Sequence, residues 1–158
     1  MASSGTMTTK DITYAGIAGA VGGLLGVFGV YLKWFSYSYP TGGGTVTIYL
    51  NGTEDWTGQV AFIAGLCAFA FGIAYVLLPD PQIRRITAAL MGVGAIFLLA
   101  MSVLGMTRVG QAVGVPVLVG VEPGTTVAVT SRVAGGLVLS FMGGVVAVVG
   151  SYLAIRRS

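Results

Sequence analysis

Residues 34–59 read WFSYSYPTGGGTVTIYLNGTEDWTGQ, the longest polar interruption between hydrophobic runs in a chain of 158 residues. Trp34, Ser36 and Ser38 alternate with Phe35, Tyr37 and Tyr39. Beyond Pro40 and a Gly42-Gly43-Gly44 turn, Val46, Ile48 and Leu50 alternate with Thr45, Thr47 and Tyr49. Period two over both stretches predicts two strands. Asn51-Gly52 is a turn dipeptide, and Glu54-Asp55 then precedes Trp56 and a new apolar run. A small β-structured loop therefore stands between two helices, and the remainder of the chain is expected to carry it.

Working outward, the apolar runs are too long and too poorly charged for a soluble domain. The chain is 55% hydrophobic and 8% charged, where a water-exposed domain carries about a quarter charged residues. The run at 12–32 would reach roughly 31 Å as a helix, which matches a hydrocarbon core of about 30 Å. Further spans are expected at 57–78, 83–107 and 132–155, with a short turn at 79–82 where Pro79-Asp80-Pro81 stops one helix. That turn makes the second and third helices antiparallel neighbours. Residues 1–11 are small and polar and are expected to be flexible, and 156–158 close the chain.

A second loop, 108–131, repeats the logic of the first. Val117, Val119 and Val121 alternate, Glu122-Pro123-Gly124-Thr125 reads as a type II turn, and Val127 and Val129 resume. A lone hairpin is marginal in water, so the two hairpins are expected to share one four-stranded sheet. The expected fold is a membrane all-α one: a four-transmembrane-helix bundle with a small extracytoplasmic β-sheet from two hairpin loops, in a single domain of 1–158.

Basic residues near the helix ends set the expected orientation. Five of them (Lys10, Arg84, Arg85, Arg156, Arg157) fall on the side of the termini, against three (Lys33, Arg108, Arg132) on the side of the loops. The positive-inside rule then puts both termini in the cytoplasm and both loops outside a bacterial inner membrane. Each half reads helix, hairpin, helix. Gly65-Leu66 and Gly136-Leu137 are each followed, seven positions after the glycine, by Gly72 and Gly143, and each half closes with Ile-Arg-Arg, a faint sign of duplication.

Several chemistries lack their residues. Histidine is absent and Cys67 is the sole cysteine, which removes paired-imidazole haem ligation, zinc sites, Ser-His and Cys-His catalysis, and any intrachain disulfide. No Asp, Glu, Lys or Arg falls near the middle of the expected spans, where coupled transporters keep an ionisable residue. Lys33, Arg108 and Arg132 are expected to anchor helix ends. We therefore expect no enzyme, no catalytic or metal-binding residue, no cofactor and no nucleic-acid partner.

What remains are candidate partner contacts. In the first helix Gly19, Gly23 and Gly26 belong to small-residue spacings that let another helix backbone approach, within the chain or on a partner. In the loop Trp34, Glu54, Asp55 and Trp56 are the candidates, the tryptophans with Tyr37 and Tyr39 also being placed where aromatic belts sit. For Glu54-Asp55 the simplest expectation is a solvated loop with a carboxylate at a helix start.

Four helices, a long first loop with strands and a shorter second one resemble the claudin-like tetraspan plan, and Trp34 with Trp56 is similar to the paired loop tryptophans of that group. The loop lacks the cysteine pair and the Gly-Leu-Trp that define claudins, so the resemblance implies layout and not junction formation. The chain also resembles small four-helix actinobacterial membrane proteins, some of which are accessory subunits of lipid importers or respiratory supercomplexes. This implies an accessory role in a larger membrane complex, with membrane lipids around it. A small transporter or channel-like homo-oligomer is the alternative.

Overall fold

A computed structural model describes residues 9–41, 43–109 and 130–157. The chain is mostly helical, with α1 (Thr9–Tyr31), α2 (Trp56–Leu77), α3 (Pro81–Thr107) and α4 (Gly135–Arg157), and with strands β1 (Lys33–Thr41), β2 (Gly44–Asn51) and β3 (Thr130–Val133). All four helices are long and apolar enough to cross a membrane. Helix ends fall within three residues of their expected places. At the α2–α3 turn, the Asp80 carboxylate accepts from Gln82 N at 2.7 Å and Ile83 N at 3.3 Å, with Pro81 opening the helix where its missing N–H costs nothing.

The helices are arranged so that α1 packs along both α2 and α4, and α3 closes the bundle between those two. Glycines seven residues apart build both α1 interfaces. Against α2, a Cβ on Gly23 would lie 2.6 Å from Gly65 O, and one on Gly16 would lie 2.9 Å from Gly72 O. Against α4, a Cβ on Gly22 would lie 2.6 Å from Gly143 O, and one on Gly29 would lie 2.7 Å from Gly136 O. A third pair, Gly19 and Gly26, faces inward and receives the Met91 and Leu98 side chains of α3. A seven-residue repeat keeps one face of a helix turned to its partner as in left-handed supercoils. For helices apolar enough to cross a membrane, close backbone approach would replace the water-expelling force that lipid does not supply.

This arrangement gives the matched spacing of Gly65 and Gly72 with Gly136 and Gly143 a packing reason. Both stripes dock on α1, from either side, so a shared seven-residue period follows without any duplication. A two-fold relation between the halves would instead turn the α4 stripe toward α3.

The sheet is antiparallel with order β2-β1-β3, so the second loop does return a strand to the sheet of the first. The remainder of the expected second hairpin, including Val117, Val119, Val121, the Glu122-Pro123-Gly124-Thr125 turn, Val127 and Val129, lies outside the described residues, as does the N-terminal segment 1–8. Thr41 pairs with Gly44 at the hairpin tip, where Gly44 takes φ +141°, a conformation closed to side-chain-bearing residues at ordinary cost. The β1–β2 register slips between Lys33 and Phe35. In an unbroken strand neighbours point to opposite faces, but the extra residue at Trp34 lets both Trp34 and Phe35 turn inward. Both are buried.

Polar side chains inside the bundle are satisfied locally. Ser102 Oγ donates to Leu98 O at 2.9 Å, Ser140 Oγ to Gly26 O at 3.2 Å across the α1–α4 interface, and Tyr75 OH to Ala154 O at 3.3 Å. Among the described residues no buried side-chain nitrogen or oxygen lacks a partner.

Candidate functional site: the junction of sheet and helix ends

Among the described residues the polar chemistry converges where the sheet meets the N-terminal end of α2 and the C-terminal end of α3. Asp55, in extended conformation, sits immediately before α2. It is the N-cap residue, but its side chain makes no capping hydrogen bond. Its carboxylate accepts instead from the Thr57 hydroxyl and from Arg108 Nη1, the latter at 2.9 Å. The pair is largely withdrawn from water, with side-chain exposures of 11% for Asp55 and 23% for Arg108. The carboxylate expected to be solvated is thus tied to α3, and the arginine expected to be a lone anchor has a partner. The guanidinium also lies 5.7 Å from the centroid of the Trp56 ring, within cation–π range.

Around this pair the loop is pinned residue by residue. Glu54 accepts from Asn51 N at 3.1 Å, and Gln59 Nε2 reaches back to Thr53 O at 3.1 Å. Phe35, Tyr37, Leu50, Glu54, Asp55 and Arg108 line a cleft of only about 30 Å³. Burial pushes the Tyr37 phenol above its ordinary range, the Asp55 carboxylate adds to that, and the Arg108 guanidinium opposes it. Tyr37 therefore keeps its proton at neutral pH.

Trp34 is the second fastening. It is fully buried among Val30, Leu98 and Leu137, and Nε1 donates to Gly29 O at 3.1 Å. Glycines make room for the ring: a Cβ on Gly52 would lie 2.7 Å from it, and one on Gly105 would lie 3.1 Å away. The backbone at Trp34 also holds the opposite strand region, its carbonyl accepting from Ala134 N at 2.8 Å.

Of the expected contact residues, the structure brings Asp55 and Trp56 together with Arg108 and leaves Glu54 exposed beside them. Trp56 is 52% exposed. Trp34, by contrast, is inside the chain, and Gly19, Gly23 and Gly26 are covered by Met91, Phe69 and Leu98 of the same chain. Their surfaces are occupied, which removes them from any face a partner meets. Tyr37 is likewise buried and not a belt residue. Sequence reading missed the Asp55–Arg108 pair, although a signal existed: reflected about the turn at Asp80, Asp55 falls opposite residue 105, one turn from Arg108.

Breaking this pair has an expected cost. Asp55→Asn or Arg108→Gln should each destabilise the chain in detergent by about 2–3 kcal/mol, because the survivor is left as a mostly buried charge. The double variant should cost less than the two single losses added together, with a coupling of about 1–2 kcal/mol in a thermal or denaturant cycle. Additive losses would mean that the two charges do not interact.

No protein-family model and no curated protein matches this chain.

Proposed function

We propose that the chain is a non-enzymatic accessory subunit of a larger bacterial inner-membrane complex, of the lipid-transport or respiratory type, that presents its sheet to an extracytoplasmic partner. The observation that carries this reading is the double fastening of the sheet to the helix ends by Trp34 and by Asp55–Arg108. Such anchoring fixes the orientation of a surface, while the outer half of the hairpin stays uncovered: Thr45, Val46, Thr47 and Tyr49 are exposed. A preorganised surface lowers the ordering cost of association. The excess of basic residues on the side of the termini supports a sheet facing outward.

The docking surface on this reading differs from the one expected from sequence. Glycine faces of α1 serve the bundle, and Glu54, Trp56 and the outer face of the hairpin are the residues a partner meets. Extraction of the native membrane in mild detergent, with this chain tagged, should recover a defined larger partner at equal stoichiometry by mass spectrometry. Glu54→Lys with Val46→Lys should release it while the bundle stays folded by circular dichroism. Recovery of the chain alone, or only with copies of itself, would reject the subunit reading and favour the channel-like homo-oligomer.

A further inference from the structure

We propose that the furrow between α2 and α3 seats one acyl chain of a phospholipid whose phosphate lies beside Trp56 and Arg108. This inference stands independently of the subunit reading. The furrow has a volume of about 270 Å³ and is bordered by Val60, Phe71, Leu90, Val93 and Phe97. Its floor is closed where the helices nearly touch, a Cβ on Gly94 lying 2.9 Å from Ala64 O. No polar side chain lines it.

Its length and position suit a lipid tail. From Val60 to Phe71 the helix rises roughly 16 Å, close to the hydrocarbon depth of one leaflet, about half of 30 Å. Trp56 stands one turn above Val60 on the same stripe of α2, since 56, 60, 63 and 67 are spaced by four, three and four. Arg108 continues the stripe of α3 that runs through Leu90, Gly94, Phe97, Met101 and Leu104. The two stripes therefore end together, and there the guanidinium lies against the half-exposed indole.

That upper end has the chemistry of a phosphate contact. Arginine carries five N–H donors in a planar fork suited to phosphate oxygens, and the Asp55 pair takes one through Nη1. An interfacial tryptophan beside it suits the boundary of headgroup and hydrocarbon. The occupant is a slender chain and not a partner helix. A helix is about 10–12 Å wide with its side chains and associates in lipid through small residues. The rims here are bulky and exposed: Ile63 by 61%, Val93 by 51% and Phe97 by 50%.

The test uses the full chain in mild detergent, titrated with dioleoylphosphatidylglycerol and read by native mass spectrometry. One lipid per chain should survive collisional activation. Val93→Trp, which fills the furrow from its exposed rim, should lower the adduct at least fivefold with helicity and melting midpoint unchanged. Arg108→Gln also breaks the Asp55 pair, so it is compared with Asp55→Asn, which breaks the same pair and keeps the guanidinium: Arg108→Gln alone should weaken the phosphatidylglycerol adduct, and the weak dioleoylglycerol adduct should be alike in the two. As a second reading, Cys67 lines the furrow and is the sole cysteine, so the bound lipid should slow its reaction with a lipophilic maleimide. Equal adducts with phosphatidylglycerol and dioleoylglycerol in the unaltered chain, or an unchanged adduct in Val93→Trp, would overturn the proposal. So would loss of a co-purifying protein from Val93→Trp with its lipid count unaltered, which would make the furrow a protein interface.

Discussion

Replacing Trp34 by alanine is expected to destabilise the chain by about 4 kcal/mol, in the range for deleting a buried tryptophan. The ring is wholly enclosed, and its neighbours come from four different elements: Val30 of α1, Gly52 of the loop, Leu98 and Gly105 of α3, and Leu137 of α4. Such a site cannot collapse around a methyl group, because each neighbour is held by its own helix. The loss also removes the indole N–H that donates to Gly29 O at 3.1 Å, leaving that carbonyl with the Leu32 N–H at 3.2 Å. Trp34→Phe separates the two parts: it keeps most of the apolar ring and loses the donor, so it should cost about 1 kcal/mol for the lost hydrogen bond, since Gly29 O keeps its backbone donor. Denaturant titration followed by circular dichroism gives the loss, and in both variants Trp56 is the only remaining tryptophan, so its fluorescence reports whether the loop detaches before the helices unfold. A loss from Trp34→Ala below about 1 kcal/mol, the range of ordinary surface changes, would mean that the sheet is not fastened by this residue.

The prominence of Trp34 was only half legible in the sequence. Period two assigned strand and hairpin correctly, since Ser38 and Thr47, which share an outer face by that pattern, are joined by a 2.9 Å hydrogen bond in the structure. The same pattern set Trp34 and Phe35 on opposite faces. What it could not contain was the register slip at Lys33/Phe35, a tertiary demand made by the glycine-lined slot between helix ends and invisible to local alternation. The spans were legible because length and apolarity alone decide them. The direction of each glycine face was not, because three overlapping stripes occupy one helix and spacing alone does not say which neighbour meets which. The Asp55–Arg108 contact was recoverable in principle from the short turn between α2 and α3, since antiparallel neighbours place an acid at the start of one beside a base at the end of the other.

Gly22→Val and Gly143→Val are each expected to destabilise the bundle by about 3 kcal/mol, at the upper end of the range for overpacking. What a new Cβ would strike decides the size of the effect. At Gly143 it would lie 2.6 Å from both Gly22 O and Gly26 N, which are backbone atoms that move only if a whole helix moves. At Gly19 and Gly26 the obstacles are the Met91 and Leu98 side chains, whose ends swing aside more cheaply. Gly92 supplies the control, since a Cβ there meets Ser151 at an ordinary 3.5 Å. Gly92→Ala should leave stability unchanged or raise it by up to about 1 kcal/mol through helix propensity. Melting midpoints in one detergent should therefore rank Gly92→Ala at or above the unaltered chain, Gly26→Val below it, and Gly22→Val and Gly143→Val lowest. If Gly92→Ala were as damaging as Gly143→Val, glycine would matter here for backbone flexibility rather than for contact. The seven-residue register that seats α4 on α1 would then be incidental. The expected ranking instead makes α1 the helix on which both neighbours are gauged, and ties the position of the sheet, through Trp34 and Gly29, to the same helix.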